Sequence, residues 1–446
     1  MKAKTISLAK QVTVKYDVDV VVAGGGPAGC CAAFAAAREG ASVVLLEAMS
    51  ALGGMFSMGY VQGWCGFHDQ EKFIHRGMAE IIRHRLYEGC VDEPLDSIQS
   101  LRGIDPEKMK RILDDLAEEF GVTVLFHTSV AEVVKSDDGT VEAVLAASKD
   151  GLKAFKAKVF VDCTGDADLA AWAGAKYHYG DEDGDVQPVS HCFCISNVDT
   201  EEAVRTRPEG FQQTIVNDSK YDLVKDDFFG IGGAIGPKTH YFNAGHQWDV
   251  DNTDTASLSL ALKTGRRLAK QFYDSFREYV PAGFDKSFLA ATAPLLGVRE
   301  TRRIVGDYVL NVDDYWARRR FDDEISLNCF FIDIHPSWKN RQLEREGKWS
   351  WAKEKNDSRY APGEFHGIPY RCLTPKGLRN VLVAGRSVSA DRETLSAIRV
   401  MPPCMTMGEA AGVAAVHALK NHKCDVHAVD INKLRSSLKK HGAFLP

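Results

Sequence analysis

Four residues near the start of the chain have the types and spacing to hold a dinucleotide. Gly24, Gly26 and Gly29 form a GxGxxG run, and Glu47 follows 21 residues after Gly26. Gly24 permits a tight strand-to-helix turn, Gly26 lets backbone approach a diphosphate, and Gly29 allows close helix packing. Pro27 suits a first helical turn, and the amides from Ala28 onward would face the phosphate charge. The Glu47 carboxylate can accept both hydrogen bonds from an adenosine ribose. It would repel the extra phosphate of NADP, so FAD or NAD is favoured.

Positioning these groups requires a strand, a turn and a helix, and the flanking sequence supplies them. Val18–Ala23 is short and β-branched, which predicts a buried strand. Ala28–Arg38 predicts a small-residue helix ended by Gly40, and Val43–Leu46 a second strand. Farther on, Ile74, Met78, Ile81, Ile82 and Leu86 recur at helical spacing within 68–90. Asp105–Pro106 opens another helix that runs to Phe120. Strands are expected near 122–127, 130–135, 140–149 and 153–160, with turns at Gly139 and Gly151. Helices follow near 254–278 and 284–293, then a strand at 381–384. A small-residue helix starts at Met405 behind Pro402–Pro403, and a surface helix spans 427–440.

The chain has 446 residues, 45% hydrophobic and 26% charged, with a formal charge of −6. That excludes a disordered chain and argues against a dedicated nucleic-acid binder. Eleven cysteines without a CxxC pair fit neither a disulfide scaffold nor a zinc site, so no metal is expected. The first apolar run is interrupted by Asp19 and is too short for a signal sequence or membrane span. The expected location is the cytoplasm, with no dedicated membrane binding.

Beyond Glu47, the AMSALGGM segment places Gly53, Gly54 and Met55 in a pattern that resembles FAD-binding oxidoreductases of the glutathione-reductase structural superfamily. More narrowly, the chain resembles the FAD-dependent oxidoreductases related to fumarate reductase and succinate dehydrogenase flavoproteins. VTVLFHTSVAEVV, KVFVDCTGDADLA, NVLVAGRSVSAD and RVMPPCMTMGEAAGVAAVHAL carry the same resemblance across nearly the whole chain. It implies FAD as cofactor, held in an extended pose. Implied contacts are Val130 by its backbone at the adenine, Thr164, Gly165 and Asp166 in the Thr-Gly segment, and Gly385 after the late strand. Arg386 stands where many relatives carry an acid for the ribityl chain. Arg399, Met405 and Gly408 are placed at the flavin end, where the first amides of the late helix could face the N1/O2 edge.

The implied fold class is α/β: a Rossmann-like FAD-binding domain with a central parallel sheet and an accessory antiparallel sheet, plus an inserted α+β substrate domain. The cofactor domain is expected at 1–175 and 370–446, and the substrate domain at 176–369. No second GxGxxG unit accompanies a strand and a spaced acid, so a separate nicotinamide domain is not expected.

For chemistry, His191 within apolar PVSHCF and His366 before GIPYR are candidate bases, with His240 and His246 as weaker ones. Arg299 is the candidate substrate cation; it forms an i,i+4 pair with Arg303 if GVRETRR begins helically. Tyr60, Cys65 and His68 follow the Gly53–Gly54 turn and could reach the flavin. The favoured activity is oxidation of a small polar or carboxylated substrate by hydride transfer to flavin N5. Two alternatives stand beside it: reduction of an activated carbon–carbon double bond, and a flavin-binding structural or regulatory subunit. The electron donor or acceptor is left open between a small molecule and a redox protein partner.

Overall fold

The computed structural model describes residues 6, 9–224, 230–350, 353 and 356–446. Fifteen strands occur among them. β1 (Val14–Ala23), β2 (Val43–Leu46), β3 (Thr123–Leu125) and β6 (Gly151–Asp162) form the parallel body of the main sheet, in the order β3-β2-β1-β6. Val20–Ala23 and Val43–Leu46 are buried throughout, as expected for strands covered on both faces.

β6 has a divided role. Its first half pairs antiparallel with β5 (Val141–Ser148), which continues into β4 (Ser129–Lys135). Its second half, Phe160–Asp162, pairs parallel with β15 (Val381–Val383). One strand therefore carries both the accessory antiparallel layer and the last parallel strand.

Helix α1 (Pro27–Arg38) crosses from β1 to β2, and α2 (Met78–Tyr87) and α3 (Pro106–Phe120) pack nearby. The Asp105 carboxylate caps α3 by accepting from the Glu107 and Lys108 amides. α2 covers only part of the helix expected over 68–90. Gly77, at φ +69°, turns the chain just before Met78, and the preceding residues form turns and a bridge from His68 to Phe73.

The late helix also differs from expectation: it spans Met401–Asn421 and includes Pro402 and Pro403 in its first turn. Amides there need no intrahelical acceptor, so two prolines are tolerated. It lies along α1, with Gly408 against the Ala28 carbonyl and Gly412 against the Ala32 carbonyl; an added methyl at either would overlap that backbone.

The inserted substrate domain holds an antiparallel sheet ordered β11-β8-β10-β9 (Phe288–Thr292, Phe193–Ser196, Thr239–Ala244 and Gly230–Gly236). The helix Thr255–Tyr279 packs on it through Phe272 and Phe276, next to Phe193 and Phe242. The helix expected at 284–293 is instead a short turn, Pro281–Phe284, followed by β11, because residues 288–292 pair with β8. Two small ladders join β7 (Tyr177–Tyr179) to β12 (Arg302–Ile304), and β13 (Glu324–Asn328) to β14 (His366–Pro369). Leu310, Tyr315, Ile325 and Ile368 join the main core, whereas Phe193, Ile195, Phe272 and Phe276 belong to a separate one. The last helix, Ile431–Lys440, starts later than the expected 427 because 426–428 form a separate 3-10 turn.

Candidate cofactor and active site

The carboxyl ends of β1, β2, β6 and β15 meet at one edge of the sheet, where α/β sheets receive ligands. Gly24, at φ +92°, turns the chain from β1, and its amide donates to the Leu46 carbonyl at 2.8 Å. A methyl on Gly24 would overlap the Cys163 carbonyl, and one on Gly29 would overlap the Gly24 carbonyl. Gly26 is different: a methyl there would meet no protein atom within 4 Å. It also caps α1 without any side-chain hydrogen bond. Two glycines are thus required by packing, and the third leaves open space in front of uncapped helical amides. That is the arrangement a diphosphate needs.

Glu47 is 7% exposed and completes the turn. Its two oxygens accept from the Gly25 and Met49 amides, each at 2.6 Å. Burial nonetheless pushes its pKa up from the usual carboxylate range. Gly53 donates to the Gly25 carbonyl at 2.7 Å, and Gly54 lies against the Gly26 Cα. Met55 follows and accepts from the Val61 amide. From the other side, Thr128 donates to the Glu47 carbonyl at 2.9 Å and His127 to that of Met49. Val130 is two residues farther on, in β4 opposite Ala146. Gly385, at φ +99°, ends β15 beside the Ala28 side chain. The structure therefore brings Gly24–Gly29, Glu47, Gly53–Met55 and Gly385 together, and these residues fit an extended dinucleotide.

The Thr164–Asp166 turn is set by Asp162. Its buried carboxylate accepts from the Thr164 amide at 3.0 Å, the Thr164 hydroxyl at 2.8 Å and the Ala170 amide at 2.8 Å. Desolvation outweighs these bonds and raises its pKa to about 6. Asp166 accepts from Arg386 and Thr301, each at 2.7 Å, and from Asn252 at 2.8 Å. Arg386 also donates to the Gly165 carbonyl at 3.0 Å.

On the substrate side, the three arginines of GVRETRR diverge. Residues 302–304 are strand, so the helical pairing of Arg299 with Arg303 does not occur. Arg299 donates to the Pro188 carbonyl at 2.7 Å and to the Ser190 hydroxyl at 3.0 Å. Arg302 binds the Asp168 carboxylate at 2.7 Å and the Asp166 carbonyl at 2.9 Å. Arg303 pairs with buried Glu300, which Arg392 also reaches at 3.0 Å. Arg399 donates to the Asp333 carbonyl at 2.9 Å and to Gln187 Oε1 at 3.3 Å.

The expected bases occupy different settings. His191 donates from Nε2 to the Ala293 carbonyl at 2.7 Å, and its ring fills the space left by Gly265 in the long helix. His366 is fully buried with Nδ1 2.5 Å from the Tyr360 hydroxyl, beside the Tyr315 ring, and burial lowers its pKa to about 3. His240 bonds Thr200, and the His68 ring accepts from the Gln70 amide. Tyr60 packs edge-on against Tyr241. Arg371 pairs with Asp323 at 2.8 Å. Met405 and Gly408 lie on the buried length of the late helix.

Sequence reading missed Gln187, Asp333 and His335. Gln187 Oε1 accepts from the His335 amide as well as from Arg399, and His335 touches His246. No local pattern marks these residues, because their hydrogen-bond partners Arg399, Ser396 and His246 are distant in sequence. Among the described residues, no group of three or more His, Cys, Asp or Glu could hold a metal ion, and no helix is long and apolar enough to cross a membrane.

Solved structures with a similar course include a geranylgeranyl bacteriochlorophyll reductase-like protein from Thermoplasma acidophilum. It is 13% identical with a TM-score of 0.46, over 95% of this chain and 84% of that one. A flavin-dependent brominase triple mutant is 12% identical, with a TM-score of 0.46, over 95% and 84% of the two chains. The p-nitrophenol 4-monooxygenase of Pseudomonas putida is 12% identical, with a TM-score of 0.40, over 97% and 84%. No curated protein matches the sequence. The family model described as FAD dependent oxidoreductase matches residues 19–438. With nearly the whole chain matched and an edge of the sheet shaped for the adenosine diphosphate, this FAD-binding enzyme belongs to the FAD-dependent oxidoreductase family.

Proposed function

We propose that the protein oxidises a small polar or carboxylated substrate, with hydride passing to flavin N5. The observation that carries this reading is the convergence of two guanidiniums on residues 187–190. Arg299 reaches Pro188 and Ser190 from the inserted domain, and Arg399 reaches Gln187 from the turn before the late helix. Fixed cations converging on that segment suit a carboxylate or an oxygen gaining negative charge.

Bound FAD supplies the two-electron acceptor. The chain's own residues hold and orient it. Amides at Gly26, Ala28 and Gly29, with Pro27 opening the helix, face the diphosphate, and Glu47 faces the ribose. Gly24, Gly53, Gly54, Met55 and the Val130 segment shape the adenosine half. Thr164, Gly165, Asp166, Gly385 and Arg386 border the middle, and Arg399, Met405 and Gly408 the flavin end. Arg299 orients substrate, and a histidine of the substrate side accepts its proton, with His191 and His366 the candidates from the sequence.

In the same reading the chain sits with the fumarate reductase and succinate dehydrogenase flavoproteins. Its cofactor domain spans 1–175 and 370–446, and its substrate domain spans 176–369. The separate core around Phe193 and Phe272 supports that division, although Leu310 to Ile368 contribute to the main core. Eleven cysteines without a CxxC pair suit a reducing cytoplasm.

The test is an anaerobic panel of hydroxy acids, amines and enoates mixed with purified holoenzyme. A hydroxy or amino substrate is expected to bleach the oxidised flavin band and appear as its carbonyl or imine product. Failure of every such compound, together with rapid reoxidation of prereduced enzyme by an enoate, would replace oxidation by double-bond reduction.

A further inference from the structure

Between β7, the loop 248–251 and the start of the helix Trp338–Arg345 lies a cavity of about 270 Å³. Three aromatic side chains, Tyr179, Trp248 and Trp338, share its wall with three acids, Asp185, Asp249 and Asp251. No lysine, arginine or histidine stands among the described lining residues. The Trp248 and Trp338 ring centroids are 5.1 Å apart with their planes at 64°, so the two indoles meet at an angle rather than stack.

The walls are held by the protein itself. Trp248 Nε1 donates to the Pro336 carbonyl at 3.0 Å, which occupies the one donor an indole has. The Asp251 amide donates to the Ser257 hydroxyl at 3.0 Å, and Asn252 ties the same loop to Asp166 at 2.8 Å. Between these anchors Asp249 holds a left-handed backbone, φ +57°. The cavity is therefore preformed, and its aromatic walls have no hydrogen-bond donor left at Trp248.

Asp251 supplies an available negative oxygen. Its Oδ1 accepts from the Tyr179 hydroxyl at 2.9 Å and from the Thr253 amide and hydroxyl at 2.8 and 2.6 Å. No described residue donates to Oδ2. Burial pushes the carboxyl up, but the Thr253 and Tyr179 bonds and the nearby Arg302 outweigh it and hold it below the usual carboxylate range. The neighbouring cations are engaged elsewhere: Arg302 binds Asp168 at 2.7 Å, and Lys339 faces Asp183 at 3.8 Å.

We propose that this cavity binds a small methylated ammonium cation, with Tyr179 and Trp248 against its methyl groups and Asp251 Oδ2 facing its charge. Aromatic faces attract a cation through the ring quadrupole, more strongly where water is excluded. Drug-sized ligands occupy pockets from about 300 Å³ upward, so this cavity suits a ligand of headgroup size. A metal ion is a poorer match, because no group of three or more His, Cys, Asp or Glu among the described residues could hold one. A primary amine or guanidinium would bring N–H donors that ring faces accept from only weakly. The site goes beyond the oxidation reading and does not depend on it.

The test is calorimetric titration of FAD-loaded protein with choline, with tetramethylammonium, and with the uncharged alcohol in which carbon replaces the choline nitrogen. Both cations should bind at one site, and the alcohol about tenfold or more weakly. Asp251→Asn keeps an acceptor for Tyr179 and Thr253, yet should weaken choline binding about tenfold or more. Trp248→Leu should weaken it to a similar extent, with FAD content and thermal melting as the check on folding. If Trp248→Leu does not fold, Tyr179→Leu takes its place with the same expected loss. Equal binding of the alcohol, unchanged affinity in Asp251→Asn, or no binding of either cation up to about 10 mM would overturn the proposal. Because binding is measured on resting enzyme, a failed substrate panel would remove the oxidation reading and leave this result standing.

Discussion

Around Gly24 and Gly29 the chain leaves no room for a methyl group, and every contact that matters lies within a few residues or one strand away. Around Gln187 and Glu300 the opposite holds: buried cations and acids meet from segments a hundred residues apart. Glu300 accepts from Arg392 and from the Gln187 amide, and Arg303 closes the group. The first region works by shape and needs little charge. The second works by charge, and apart from the Glu300–Arg303 pair its members depend on partners far along the chain.

This contrast can be broken most sharply at Gly29. Gly29→Ala forces a methyl into the Gly24 carbonyl, with the Cys163 Cβ close on the other side. We expect a stability loss above about 4 kcal/mol, read by chemical denaturation, and loss of bound FAD. Near-normal stability would show that the turn can relax and that its shape is not the constraint.

Glu300→Gln tests the charged region. It leaves Arg303 and Arg392 short of a buried anion, and removal of one partner from such a group costs about 3–5 kcal/mol. The purified variant should still retain FAD, since Glu300 touches none of the turn residues. FAD lost in proportion to stability would mean that the two regions form one cooperative unit.

The smallest effect sharpens the comparison from within the glycine turn. Gly26→Ala meets no protein atom, so apoprotein stability should stay within about 0.5 kcal/mol of wild type. FAD binding should nonetheless weaken tenfold or more, about 1.4 kcal/mol, as measured by flavin fluorescence. Equal affinity would place the diphosphate elsewhere.

The same contrast explains what the sequence made legible. The β1–α1–β2 unit could be read because its strand, glycines, helix and acid lie within one short stretch. The caps of α3 and the strand pair around Gly139 were equally local. Residues 284–293 misled because Phe288 and Leu289 satisfy a helical pattern as well as a strand, and only pairing with β8 decides. The late helix was expected too late because prolines were treated as an approach rather than as tolerated first-turn residues. Gly265 lies inside a long helix, where glycine costs about 1 kcal/mol relative to alanine. Its reason is the His191 ring, 64 or more residues outside that helix's start. His335 carried no signal at all, since its meaning comes from His246, 89 residues away.

The divided pairing of β6 has a consequence for how the molecule comes into being. Its first half can zip to β5 as soon as both leave the ribosome, because they are neighbours in sequence. Its second half must wait for Val381–Val383, more than two hundred residues later. Throughout that interval the edge Phe160–Asp162 lacks its last partner strand, the kind of surface that recruits other chains. The β1–α1–β2 segment is thus made long before the layer it belongs to can close, which waits for Val381–Val383 and for the helix Met401–Asn421 to settle along α1.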